Sequence, residues 1–123
     1  MRLLLDTHAF VWWDAKDSRL PDRMREAIAS TENQVFVSAV SVWEIAIKRA
    51  SGKLIFKGSI SKAIDAHGFQ ALPISVAHAE WAGSLEPIHQ DPFDRMLIAQ
   101  ANLEGMSLVT VDAQILSYPL PHL

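Results

Sequence analysis

Four widely spaced acidic residues each follow an apolar run or open a helical segment, and they are Asp6, Glu44, Asp94 and Asp112. Asp6 directly follows the run 3–5, Asp112 follows 108–111, and Glu44 lies past 35–37. In a parallel α/β sheet, ligands bind beyond the carboxyl ends of the strands, so acids far apart in sequence can meet there. Crowded carboxylates repel unless a cation binds them, and Mg²⁺ accepts oxygen ligands while keeping waters for a phosphate substrate. The pattern predicts phosphodiester chemistry at a metal site.

The segment around Asp94 also has a purely structural interpretation. Asp91 as N-cap, Pro92 at the first helical position and Asp94 at the third make a plausible capping arrangement. At about 100° per residue, the apolar residues on the same side of this helix as Asp94 are Leu97, Ile98 and Ala101. Asp94 is therefore expected at the first turn of the buried face. Asp91 is expected to cap the helix, with at most an accessory role in the site.

Glu44 has two structural alternatives of its own. Lys48 lies four residues later, the favourable orientation for a helical ion pair, and Ser41 lies three residues earlier, at capping-box spacing. The stripe predicted to be buried on this helix consists of Val40, Trp43 and Ile47. This places Glu44 at the border of the stripe, from which an acid can reach a cleft. The ion-pair and ligand interpretations both stay open.

Asp6 and Asp112 occupy the same position relative to their predicted strands. Each ends an apolar run, where a charged carboxylate is costly unless it bonds helix amides or a cation. Either acid can also cap the helix that follows it, and Thr110 lies two residues before Asp112. Each acid taken alone is ordinary, but their joint occurrence after successive strands favours a common site.

The elements that must position these acids follow from apolar runs and helix signals. Strands are predicted at 3–5, at 35–37, within 69–74 and at 108–111. A short helix is predicted to begin at 6–7. Further helices are predicted over 21 to about 31, about 40 to 50, 60–67, 75–83 and 91–104, and a last helical turn near 112. Strands that alternate with helices predict a three-layer α/β architecture with a mostly parallel sheet, in one domain over 1–123.

Composition excludes several classes of protein and of site. Half of the 123 residues are hydrophobic and 20% are charged, as in a well-cored globular domain. The chain has no cysteine, which excludes disulfides, thiolate catalysis and sulfur-ligated zinc and fits a reducing cytoplasm. No apolar stretch approaches the ~20 residues that span a bilayer, and the start reaches Asp6 too soon for a signal peptide. A cytoplasmic protein is therefore expected.

Charge is distributed unevenly, although the net charge is only −3. Residues 45–64 contain no acid but carry Lys48, Arg49, Lys53, Lys57 and Lys62. Such a basic stretch can track a phosphate backbone, and an ordinary solvated surface is the equally open alternative. Within it, Lys48, Arg49 and Lys53 are the predicted contacts to a nucleic-acid backbone.

Other patterns argue against competing chemistries. Histidine-bound zinc is not expected, because no H-E-x-x-H or similar spacing joins His8, His67, His78, His89 and His122. No glycine-rich phosphate loop is present, and the serines lack the G-x-S-x-G context of a hydrolase nucleophile. Dinucleotide binding, NTP binding and serine-hydrolase chemistry are therefore disfavoured.

Five segments together resemble a PIN domain. LLLDTH at 3–8, VSAVSVWEI at 37–45 and GKL at 52–54 are similar to its first half, and DPFDRMLIAQA at 91–101 and LVTVD at 108–112 to its second. The resemblance covers almost the whole chain and is closest to VapC-type toxins of bacterial toxin–antitoxin pairs. It implies a Rossmann-like αβα sandwich with about five parallel strands. It also implies a Mg²⁺- or Mn²⁺-dependent ribonuclease that cuts tRNA, rRNA or mRNA and so inhibits translation.

The same resemblance assigns expected roles to residues and partners. Thr110 matches the usual hydroxyl near the site, and the family's acidic quartet matches Asp6, Glu44, Asp94 and Asp112. A homodimer is implied, together with a cognate antitoxin whose tail lies over the active-site groove. Our hypothesis is that Asp6 and Asp94 hold the principal ion and that the other two acids complete the site directly or through waters. Arg95 would contact phosphate or brace the acids.

Two other functions stay open at this point. A receiver-type phosphotransfer domain also clusters acids at strand ends, but it would show paired acids early and a lysine after a late strand. Here Asp6 has no acidic neighbour and no lysine follows Val111. The second alternative is a catalytically silent PIN-like module that binds only RNA or a protein, against which the intact quartet argues.

Overall fold

A four-stranded parallel sheet forms the centre of the protein, whose computed structural model describes all residues 1–123. The strands are β1 (Arg2–Leu5), β2 (Gln34–Ser38), β3 (Gln70–Leu72) and β4 (Ser107–Val109), in the order β3-β2-β1-β4. All three pairings are parallel. The predicted α/β class is confirmed, with four strands where the resemblance implies about five. Each strand overlaps one of the four apolar runs read from the sequence, but β4 ends at Val109 and does not reach residue 111 as predicted.

Seven helices surround the sheet, and most begin at a capping side chain. They are α1 (Thr7–Ala15), α2 (Asp22–Ala29), α3 (Ala39–Ala50), α4 (Ile60–Ala66), α5 (Val76–Ser84), α6 (Pro92–Glu104) and α7 (Ala113–Leu116). Pro21, predicted at the first helical position, is instead the N-cap of α2. Gly105 ends α6 at a φ of 64°, a conformation that favours glycine. None of these helices combines the length and apolar character that crossing a membrane requires.

Alternation along the strands divides the core between the two faces of the sheet. Leu3 and Leu5 belong to a buried cluster that includes Phe10 of α1 and Met24 of α2. Leu4 points to the opposite face, where the buried cluster contains Leu97, Ile98 and Ala101 of α6 and Ile115 of α7. Both faces are therefore covered by helices, which explains why the strands are continuously apolar.

The register of the strands brings their carboxyl ends level. Leu5 pairs with Val37 of β2 on one side and with Val109 of β4 on the other. The backbone N–H of Asp6 also donates to the carbonyl of Val109 at 3.0 Å. Consequently, the residues that follow β1, β2 and β4 lie side by side at one edge of the sheet.

Candidate functional site

Asp6 lies at the centre of this edge, buried between β1 and α1. It is the N-cap of α1, and its Oδ1 accepts a hydrogen bond from the Ala9 N–H at 2.7 Å. Burial raises the pKa of Asp6, while the Thr110 hydroxyl and the Ala9 amide lower it and the Asp112 charge raises it further. The net direction is upward, so the metal-free site disfavours the charged carboxylate. A bound cation would reverse that preference.

Glu44 is buried, and both of its oxygens have partners. The Thr7 hydroxyl donates to Oε1 at 2.6 Å, and the Lys48 ammonium donates to Oε2 at 2.5 Å. The predicted ion pair is thus confirmed, and it raises the pKa of Lys48. The capping box predicted for Ser41 is wrong, because Ser38 caps α3 and the Ser41 hydroxyl lies 3.0 Å from Thr7 Oγ1. Thr7 is a site residue that the sequence analysis missed.

The buried face of α3 differs from the predicted stripe. Trp43 is 60% exposed and Ile47 is 44% exposed, whereas Glu44 is only 3% exposed. The residues of α3 that are buried are Val40, Ser41, Glu44 and Ile45. The helix is oriented so that Ser41 and Glu44 face the acids at the sheet edge. Trp43 instead packs edge-on against Phe93 of α6, with ring centroids 5.3 Å apart.

Asp91 and Asp94 have different roles at the start of α6. Asp91 Oδ1 accepts hydrogen bonds from the N–H groups of Phe93 at 2.8 Å and Asp94 at 3.1 Å, which confirms Asp91 as the N-cap. The Asp94 carboxylate is therefore not used for capping. Its pKa is raised to about 7 by burial first, then by the negative charges of Asp91 and Glu44, against a lowering contribution from His89. Asp94 thus lies within electrostatic reach of Asp91, Glu44 and Asp112.

Asp112 approaches the same point from the end of the β4 segment. Its Oδ1 caps α7 by accepting from the Gln114 N–H at 2.8 Å, and its own N–H donates to Thr110 Oγ1 at 3.0 Å. The charge of Asp112 also raises the pKa values of both Asp6 and Asp94. Capping and participation in a common site are therefore compatible, because capping occupies only one carboxylate oxygen.

His89 is the second residue that the sequence analysis missed. Its Nε2 lies 2.8 Å from Asp94 Oδ2 and 3.7 Å from Asp112 Oδ2. Potential donor atoms of these three residues all lie within 4.8 Å of one another. A histidine five residues before an acid fits no standard ligand spacing. Its only sequence signal is its position just before the Asp91-Pro92 helix start.

Arg95 does not brace the acids directly, so that interpretation is wrong. Its guanidinium donates to four backbone carbonyls at the end of α5 and in the following loop, at distances of 2.8 to 3.1 Å. The four carbonyls belong to Ala82, Leu85, Glu86 and His89. No hydrogen bond or ion pair joins it to any of the four acids. Arg95 therefore shapes the loop before α6.

The three basic residues predicted to contact a nucleic acid differ in their availability. Lys48 is paired with Glu44, and one guanidinium nitrogen of Arg49 donates to the carbonyls of Phe56 at 3.2 Å and Gly58 at 2.7 Å. Lys53 is exposed and has no side-chain partner. It lines a groove of about 500 Å³ together with His8, two residues after Asp6. Of these three residues, Lys53 is the freest to bind a phosphate.

The donor set at the sheet edge suits a hard divalent cation. The ligand atoms shown to lie within 4.8 Å of one another belong to His89, Asp94 and Asp112. Asp6 adjoins this group through its electrostatic coupling to Asp112, and Glu44 through its coupling to Asp94. The chain offers no sulfur ligand. Burial and mutual repulsion hold the pKa values of Asp6 and Asp94 above their ordinary range, an energetic cost that a cation relieves. The arrangement fits a hard divalent cation with oxygen ligands.

Comparison with known proteins agrees with this geometry. The sequence model of the PIN domain family matches residues 3–119. Ribonuclease VapC22 of Mycobacterium tuberculosis (strain ATCC 25618 / H37Rv) is 30% identical over 126 residues, covering 97% of this chain and 93% of that protein. VapBC2 from Rickettsia felis, solved bound to a DNA fragment from their promoter, matches with a TM-score of 0.71 at 18% identity, covering 99% of this chain and 96% of that chain. DNA-bound VapBC from Salmonella typhimurium matches with a TM-score of 0.65 at 16% identity and the same coverage. The chain therefore belongs to the PIN domain family, and within that family to the VapC type.

Proposed function

We propose that this protein is a metal-dependent ribonuclease that hydrolyses RNA phosphodiester bonds and serves as the toxin of a toxin–antitoxin pair, inhibiting translation. The observation that carries the proposal is the cluster of acids at one sheet edge, two of which follow β1 and β4 and two of which belong to α3 and α6, with the pKa of Asp94 raised to about 7. The name and 30% identity of the Mycobacterium tuberculosis relative support ribonuclease activity.

Each acid has a proposed role in this site. Asp6 and Asp94 would hold the principal Mg²⁺ or Mn²⁺, and Glu44 and Asp112 would complete the site directly or through waters. When bound, the ion would lower the pKa of a water and neutralise charge on the phosphate oxygens. Glu44 is held in position for this task, because Thr7 and Lys48 donate hydrogen bonds to its two carboxylate oxygens. Thr110 is proposed to orient Asp6, whose pKa it lowers.

We also propose three partners and a location. The substrate is RNA, the regulator is a cognate antitoxin, and the protein acts as a homodimer in the cytoplasm, where translation takes place. The structural neighbours support an antitoxin partner, because they are VapBC complexes and the match to them covers nearly the full length of this chain. The intact acidic quartet supports catalysis over the alternative of a silent binding module.

The direct test is cleavage of RNA by the purified protein. Labelled tRNA and single-stranded RNA are incubated with Mg²⁺, with Mn²⁺, and with EDTA. We expect cleavage with at least one metal, complete loss in EDTA, and recovery when the metal is restored. Cleavage that persists in EDTA would contradict the metal dependence, and stable RNA in every condition would favour the silent module.

Lys53→Ala tests the nucleic-acid surface. We expect KM for RNA to rise about 3- to 10-fold with little change in kcat, because an exposed lysine supplies phosphate attraction and not chemistry. The salt dependence of KM should also weaken. The measurement is steady-state cleavage at several salt concentrations, with Lys62→Ala of α4 as the matched control. Equal effects of the two substitutions would exclude a specific phosphate contact at Lys53.

A further inference from the structure

The loop from Leu85 to Asp91 is hydrogen-bonded by two side chains outside it, those of Tyr118 and Arg95. The His89 N–H donates to the Tyr118 hydroxyl at 2.7 Å, and that hydroxyl donates to the Glu86 carbonyl at 2.7 Å. Arg95 binds the carbonyls of Glu86 and His89, each at 3.1 Å. A basic side chain and a tyrosine are thus used to fix the backbone on which His89 stands. None of the proposed catalytic roles requires these hydrogen bonds from Tyr118 and Arg95.

The hydrogen-bond partners of the His89 ring assign its tautomer. The Asp91 N–H donates to Nδ1 at 3.4 Å, so Nδ1 is the acceptor. The proton is therefore on Nε2, which lies 2.8 Å from Asp94 Oδ2 and donates to it. His89 is 8% exposed, so this bond is sheltered from water.

This bond distinguishes the two oxygens of Asp94. Oδ2 is occupied by His89, and no hydrogen bond is made to Oδ1. We propose that His89 is a positioning residue of the site: by holding Oδ2, it fixes the Asp94 side chain so that Oδ1 is the oxygen presented to the metal. The inference rests on the proposed function, because it assigns Asp94 as a metal ligand.

The position of His89 between two acids supports the same role. Its Nε2 is also 3.7 Å from Asp112 Oδ2, so a single N–H group lies between carboxylates that otherwise repel. Hydrogen bonds to metal-ligating groups orient them, and their loss typically weakens metal binding by about 10- to 100-fold. Because this N–H is directed at Asp94 Oδ2, His89 acts through Asp94.

Three variants test this role by the affinity for Mn²⁺ alone, measured by isothermal titration calorimetry at one fixed pH. We expect His89→Ala to weaken Mn²⁺ binding about 10-fold, and His89→Gln, which keeps a side-chain N–H, to recover most of the affinity. His67→Ala is the matched control. It removes a 2.7 Å imidazole–carboxylate contact with Asp14, and His67 lines a cavity with residues that precede β2 and β3, at the opposite edge of the sheet. Its Mn²⁺ affinity should equal that of the wild type.

Kinetics test positioning once thermal melting has shown that His89→Ala is folded. At saturating Mn²⁺, His89→Ala should lower kcat with little change in KM for RNA, since no RNA contact is removed. The ¹⁵N chemical shifts of the His89 ring in the metal-free wild type provide a measurement that needs no variant. They should show a proton on Nε2 and none on Nδ1.

Each contrary result has a distinct meaning. If the wild type cleaves RNA with Mn²⁺ and His89→Ala binds Mn²⁺ equally tightly, the positioning role is wrong and the ribonuclease proposal stands. If His89→Gln binds as weakly as His89→Ala, or if Nε2 carries no proton, His89 is not a hydrogen-bond donor to Asp94. If the wild type neither binds Mn²⁺ nor cleaves RNA, the proposed function itself fails.

Discussion

Asp6→Asn is expected to lower RNA cleavage about 1,000-fold or more while leaving the far-UV circular dichroism spectrum unchanged. Asparagine keeps the oxygen that accepts from the Ala9 N–H, and it caps helices about as well as aspartate. Burial already raises the pKa of Asp6, so the metal-free fold does not depend on its charge. The proposed metal site does depend on that charge, because an amide oxygen is a far weaker ligand.

Cleavage assays with Mg²⁺ and with Mn²⁺, run beside thermal melting, check this expectation. Asp65→Asn is the control, since Asp65 is an exposed acid on α4 and its replacement should leave cleavage intact. An Asp6→Asn protein that cleaves RNA at the wild-type rate would remove the metal-site argument. Loss of folding together with activity would show that the Asp6 charge serves the fold.

Asp94→Asn is expected to stabilise the metal-free protein by about 2 to 4 kcal/mol at pH 8, the lower figure allowing for solvent screening of this partly exposed group, and by almost nothing at pH 4. The folded-state pKa of Asp94 is about 7, above the ordinary value of 3.8, because burial and the charges of Asp91 and Glu44 disfavour the carboxylate. The folded state therefore binds more protons than the unfolded state between these values. Stability contributed by Asp94 is full below about pH 4 and is lost as the pH rises to about 7. Asparagine cannot ionise and avoids that loss.

Urea unfolding of wild type and Asp94→Asn at pH 4 and pH 8, with EDTA present, measures this difference. Asp65→Asn again serves as the control and should show no comparable pH dependence. Saturating Mn²⁺ should cancel or reverse the advantage of Asp94→Asn, since the ion stabilises only the protein that binds it. Equal effects at both pH values, or a destabilised Asp94→Asn at pH 8, would contradict the cause assigned to the raised pKa.

Much of the fold could be predicted because its signals are local. The four strands are short apolar runs, and Asp91 and Asp112 cap the helices that follow them, as their positions indicate. The convergence of the acids also follows from a general property of parallel sheets. The roles of the four acids in binding a metal stay predictions, to be decided by the substitutions above.

The remaining features depend on contacts between distant segments. Trp43 and Ile47 are apolar, but α3 presents Ser41 and Glu44 to the sheet edge because Thr7 of α1 binds both. Helical periodicity alone cannot show which of two faces meets a polar neighbour. The role of Arg95 and the approach of His89 to Asp94 likewise depend on the conformation of the loop before α6. That loop is bound by Tyr118, which lies 29 residues after His89.

Asp6 and Asp112 each give one oxygen to the first turn of a helix and keep the other outside the cap. Asparagine preserves the first of these functions and abolishes the negative charge, and a single nucleotide change in an aspartate codon produces it. On the proposed roles of these two acids, one mutational step abolishes RNA cleavage while the product still folds. Such inactive alleles would retain the surfaces through which the protein meets its partners, and they would be stable enough to compete with active copies for them.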